Sequence, residues 1–187
     1  MVDRRSLLLA LLLVPLPGAP AAPSLAATVM QLLAGLPSRS TRFVEEKHFA
    51  SLTTPLVSRG VLIFRRPTYL EKDTYAPRQE RLIINDNRLE LIEQSEAPKV
   101  VRLNAHPVLH ALVATLLAML NGNLPALGRL YRIDEQGTIE AWRLMLVPIA
   151  AGLHKSVARV TIDGSEGTLR QIEIQQPNGD FDRLVLQ

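Results

Sequence analysis

Residues 106–122 read HPVLHALVATLLAMLNG. Between Pro107 and Asn121 only His110 and Thr115 are polar, so the segment has the composition of a helix with almost no polar face. A helix on the surface of a globular domain carries an apolar stripe and a polar back. One that is apolar all round must be enclosed on several sides, because leaving its large side chains in water costs about 1.5–3 kcal/mol each. Pro107 suits the first turn and Gly122 the stop, with Asn104 the expected cap. NLPALGRLY, residues 123–131, adds a second, shorter helix from about Pro125, so the helical insert covers about 106–130.

What can enclose such a helix is decided by its flanks. On the amino-terminal side, SLAATVMQLLAGLP (24–37) reads as a short helix capped by Ser24 and stopped by Gly35 and Pro37. The period then changes to that of strands: TRFVEEKHFAS, PLVSRGVLIFRR, PTYLEKDTY, RLIIND, RLELIEQ and KVVRL, with Asp86-Asn87 as a tight turn. After the insert come LYRID, TIEAWRLMLVP, KSVARVTID, TLRQIEIQQ and FDRLVLQ, joined at Glu135-Gln136-Gly137, Asp163–Gly167 and Asn178-Gly179. About eleven strands joined by short turns describe one large antiparallel sheet, which must curl or close. Alternation at Leu62/Phe64, Trp142/Leu144/Leu146 and Ala158/Val160/Ile162 makes one face apolar. The insert covers that face as a plug or lid.

Hydrophobic residues make up 47% of the 187-residue chain but aromatics only 4%, so the interior is mainly aliphatic. The net charge of +3 is small and its basic residues are scattered, which argues against nucleic acid as the main partner. The segment MVDRRSLLLALLLVPLPGAPAAPSLAA has a basic start, a short apolar run and Ala-x-Ala or Ser-x-Ala sites. It reads as a secretory signal over 1–21, with cleavage as late as 26 also open, ahead of a single domain at 24–187. The chain has no cysteine, so neither disulfides nor a lipid-modified amino-terminal cysteine is expected, and the mature protein should be periplasmic.

The order of short helix, RFVEEKHFASLTTPLVSRGVLIFRRPTYLEKDTYAPRQERLIINDNRLEL, and later WRLMLVP and VTIDGSEGTLRQIEIQQPNGDFDRLVL, resembles the LolA family of periplasmic lipoprotein carriers. The resemblance covers nearly the whole mature chain. It implies an α+β, mainly β fold: an unclosed antiparallel barrel of about eleven strands with a helical lid over an apolar cavity. It implies a carrier of acylated lipoproteins, with an inner-membrane ABC transporter as donor and an outer-membrane acceptor. A monomer without cofactor is expected. The strand after Asp86-Asn87, LELIEQ, lacks the aromatics usual in the family. Its aliphatic character leaves a free lipid, glycolipid or polyenyl cargo, or a lipid-sensing regulatory module, as alternatives.

The resemblance assigns Arg66 as a latch that reaches the lid backbone, and parity agrees, since Gly60, Leu62, Phe64 and Arg66 share one face of their strand. The expected cavity wall is Phe43, Leu62, Phe64, Leu82, Ile84, Leu89, Leu91, Trp142, Leu144 and Leu146, facing Leu109, Leu112, Leu116 and Met119 of the lid. His106 and His110 have a metal-compatible spacing but no third ligand beside them, and no metal is expected. No nucleophile elbow, phosphate loop or dinucleotide fingerprint is present, and Glu45-Glu46 point to opposite faces of a strand, so no enzyme is expected.

Overall fold

A computed structural model describes residues 22–94 and 96–187; the expected signal segment at 1–21 lies outside them. The first element is helix α1 (Leu25–Ala34), with Ser24 accepting from the Ala27 N–H. Six strands follow: β1 (Arg39–His48), β2 (Leu56–Arg65), β3 (Tyr69–Ala76), β4 (Glu80–Asn85), β5 (Arg88–Glu93) and β6 (Lys99–Arg102). Then come α2 (Pro107–Asn121) and α3 (Leu124–Leu130). The chain ends with β7 (Tyr131–Thr138), β8 (Ala141–Pro148), β9 (Arg159–Ser165), β10 (Thr168–Gln175) and β11 (Phe181–Leu186).

All eleven strands form one sheet in the order β6-β5-β4-β3-β2-β1-β11-β10-β9-β8-β7. The two antiparallel meanders are joined at the centre, where β1 pairs with β11. The sheet is not closed: β6 and β7 are its free edges. These are also the two strands that flank the helical insert in sequence. The insert therefore leaves one edge and returns at the other, and the shortest such route lies across the concave face. Topology alone makes α2 a lid.

Most of α2 is enclosed, as its composition requires: among residues 107–121 only Pro107 and His110 are exposed. Its one buried hydroxyl is satisfied, because Thr115 Oγ1 donates to the Ala111 carbonyl (2.7 Å) and lies 2.8 Å from Tyr131 Oη. Gly122 closes the helix in the left-handed region, φ 68°.

Two local expectations are corrected. Asn104 does not cap α2; it sits in a single turn of tight helix at Leu103–Ala105, and His106 takes the cap position. The chain leaving β6 is pinned to the β4–β5 turn, with Asn87 accepting from the Asn104 N–H (2.9 Å), so the helix starts only at Pro107. Nor do Glu135-Gln136-Gly137 form a turn. β7 runs through them to Thr138, and the reversal falls at Ile139-Glu140, where Thr138 Oγ1 bonds the Glu140 carboxylate (2.6 Å). Staying in the strand lets Glu135 accept the Ala26 N–H (2.6 Å) at the positive end of α1.

Candidate functional site

Between α2 and the concave face lies an apolar cavity of about 250 Å³. Its helical wall is Leu109, Leu112, Val113, Thr115, Leu116 and Met119, successive inward turns of α2. Its sheet wall comes from both meanders: Leu62, Leu70, Leu82, Ile84 and Leu89 on one side, Val160, Ile162, Ile172, Ile174 and Leu184 on the other. Eight of the residues expected from sequence thus meet here: Leu62, Leu82, Ile84, Leu89, Leu109, Leu112, Leu116 and Met119.

Six do not, and packing explains why. Phe43 lies opposite Gly60 in the β1–β2 register and folds down onto it; a Cβ on Gly60 would come within 2.7 Å of the Phe43 ring. Trp142 does the same over Gly164 of β9, where an added Cβ would overlap the indole, and its Nε1 donates to the Glu166 carbonyl (2.9 Å). Both large rings are therefore laid flat on the sheet instead of projecting into the cavity. Leu144 and Leu146 are fully buried in the core, as is Phe64, which packs beneath the Arg66 guanidinium, 5.7 Å from its ring centre. Leu91 is half-buried on β5, outside the cavity.

Arg66, just after β2, ties together the ends of two helices. Its Nη2 donates to the carbonyls of Leu33 (2.6 Å) and Leu120 (3.0 Å), its Nε to Leu36 (2.9 Å), and its Nη1 to Asn121 Oδ1 (3.1 Å). These are the carbonyl ends of α1 and α2, where orphan acceptors and the negative end of each helix dipole favour a cation. The Asn121 amide is itself anchored to the Pro67 carbonyl (2.7 Å). Arg39 lies beside this hub, and its pKa is lowered by burial and then by the charge of Arg66.

Sequence reasoning missed the charged end of the cavity. Glu45, Lys72 and Asp182 line it together with the aliphatic residues. Lys72 Nζ contacts Glu45 Oε2 at 2.7 Å, and Ser58 donates to the same oxygen (3.0 Å). Burial alone would raise the Glu45 pKa, but the Lys72 charge and hydrogen bond, joined by the Lys47 charge and the Ser58 hydrogen bond, outweigh it and hold the carboxyl below its ordinary value. Asp182 is the reverse case: burial pushes its pKa up, helped by Glu45 and Asp180 and opposed by Lys47 and Lys72. The signal available in sequence was parity, which places Glu45 on the same face as Phe43; Glu46 points the other way, toward His48 (3.3 Å).

His106 and His110 are both exposed, and among the described residues no three metal-ligating side chains converge. No helix of the described residues is long and apolar enough to cross a membrane.

Known proteins give the following likenesses. The model of the family described as outer membrane lipoprotein carrier protein LolA-like matches residues 18–187. A LolA superfamily protein from Nitrosomonas europaea is 9% identical over 88% of this chain and 92% of its own, with a TM-score of 0.45. A DUF1329 family protein from Desulfovibrio piger is 12% identical over 87% and 88%, TM-score 0.48. LprF from Mycobacterium bovis is 10% identical over 87% and 91%, TM-score 0.40. Among curated proteins none matches the sequence significantly. An open eleven-stranded sheet under a helical lid, in a chain whose family match begins at residue 18 and runs to its last residue, makes this protein a divergent member of the LolA-like outer membrane lipoprotein carrier family.

Proposed function

We propose that this protein is a periplasmic carrier that takes the acyl chains of lipoproteins into the cavity beneath α2 and moves them from the inner to the outer membrane. The observation that carries the reading is the aliphatic space of about 250 Å³ left between the helix and the sheet. A close-packed core leaves few voids larger than a water molecule. Moving a sixteen-carbon chain out of water is worth on the order of 13 kcal/mol, at about 0.8 kcal/mol per methylene. A helix apolar on every side can pack against the sheet when the site is empty and against chains when it is loaded.

In this reading Arg66 is the latch whose bonds to α1 and α2 set how readily the lid leaves the sheet. Export runs through the segment at 1–21, the donor is an inner-membrane ABC transporter, and the recipient is an outer-membrane acceptor. No residue is assigned a catalytic role and no cofactor is needed.

One observation favours a second reading. Typical ligand pockets hold about 300–1,000 Å³, and this cavity falls just below that range. With α2 as it stands the space suits a single chain, so a free lipid, glycolipid or polyenyl chain is the alternative cargo. Native mass spectrometry of protein purified from a periplasm without detergent separates the two. Adducts with the mass of an acylated peptide support the lipoprotein carrier, and a free lipid adduct supports the alternative. A bare protein that also fails to take up an added acyl probe would refute both.

A further inference from the structure

We infer that the charged end of the cavity is a head-group subsite that selects amphiphiles whose head donates hydrogen bonds and carries no net negative charge. The inference rests on the acyl-binding reading above and adds a specificity to the same cavity.

The cavity is otherwise aliphatic, and charges beside apolar space are costly to keep there. Yet three elements contribute them: Glu45 from β1, Lys72 from β3 and Asp182 from β11. Lys72 is committed, bound to Glu45 at 2.7 Å and lying 5.2 Å from the centre of the Phe43 ring. Its charge is thereby balanced by Glu45. Asp182 is left over: among the described residues its carboxylate has no hydrogen-bond partner, only the longer-range influence of Lys47, Glu45, Lys72 and Asp180. Lys47 is its cross-strand neighbour in the register and is half-buried. An acyl chain lying along Leu184, Ile174 and Leu62 brings its head to this carboxylate. An ammonium, amide N–H or hydroxyl there satisfies Asp182, whereas a phosphate brings like charge to a carboxylate that Lys47 faces without bonding.

The test uses three sixteen-carbon probes that differ only in the head: hexadecylammonium, hexadecanol and hexadecyl phosphate. Each competes with a fluorescent acyl probe for wild-type protein, Asp182→Asn and Asp182→Glu. Wild type is expected to bind the ammonium about tenfold tighter than the phosphate, as a charge-assisted hydrogen bond implies, with the alcohol in between. Asp182→Asn should shrink that ratio to about twofold, and Asp182→Glu should restore most of it. Equal affinity for the three heads in wild type, or an unchanged ratio in Asp182→Asn, overturns the subsite while leaving acyl binding intact. If none of the probes displaces the fluorescent chain, the acyl-binding reading fails and this inference with it.

Discussion

Arg66 Nη2 donates to the carbonyl of Leu120, 3.0 Å away in the last turn of α2. The same nitrogen reaches Leu33 of α1, so a single guanidinium couples the lid to the helix beside it. Arginine can do this because its fixed fork of donors serves several acceptors at once; a lysine ammonium is a compact point charge with fewer donors.

Replacing Arg66 with leucine should loosen the lid without dissolving the sheet. The change strands the acceptors of Leu33, Leu36, Leu120 and Asn121, for a loss of about 1–3 kcal/mol per buried group left unpaired, less where water enters. Hydrogen exchange should speed up in the last turns of α1 and α2, while the paired amides of β1 and β11 keep their protection. Uniform loss of protection would instead make Arg66 a general element of stability.

Met119 is 1% exposed and points into the cavity. Truncating it to alanine should cost about 2–5 kcal/mol of stability, as for other buried large-to-small changes. If the space is a binding cavity, the same truncation enlarges it, and a bulky acyl probe should bind more tightly despite the lower stability. If the space were only imperfect core, stability would fall and probe binding would not improve.

The fold was largely legible from local patterns, because each strand repeats with a period of two and α2 carries no polar back. Parity correctly set Gly60, Leu62 and Phe64 on the buried face. What parity cannot supply is how far an inward side chain projects. Phe43 and Trp142 both face inward, but each is paired across the sheet with a glycine, and those pairings exist only once the register is known. Glu45 and Asp182 come from distant parts of the chain and line one cavity because β1 pairs with β11. No window of sequence contains that juxtaposition.

Gly164 supplies a further test, since Trp142 is the only tryptophan and reports on its own packing. A methyl group here would collide with the indole and come within 2.5 Å of the Thr168 carbonyl. Gly164→Ala should therefore destabilise by about 1–3 kcal/mol, the usual range for overpacking. The indole would be displaced from the sheet and its bond to the Glu166 carbonyl strained, so its fluorescence emission should change. Unchanged emission with wild-type stability would show that Trp142 does not rest on Gly164.

Glu45 and Asp182 line one cavity yet should move stability with pH in opposite directions. Asp182 has its folded pKa raised above the ordinary 3.8, so the native state holds its proton more tightly than the unfolded chain. Stability from this group is present at low pH and is lost as pH rises through the folded value. Glu45 has its folded pKa lowered below 4.5, so its contribution is present above that value and is lost as pH falls through the folded one. Asp182→Asn should accordingly help the empty protein more at pH ~7 than at pH ~3, and Glu45→Gln should hurt it more at pH ~7 than at pH ~3. Urea unfolding of both variants and wild type at the two pH values reads this directly. Parallel changes in the two variants would mean that the Glu45–Lys72 pair does not hold the Glu45 charge in the cavity wall. A carboxylate whose removal stabilises the empty protein while abolishing head-group discrimination would be one kept for its ligand.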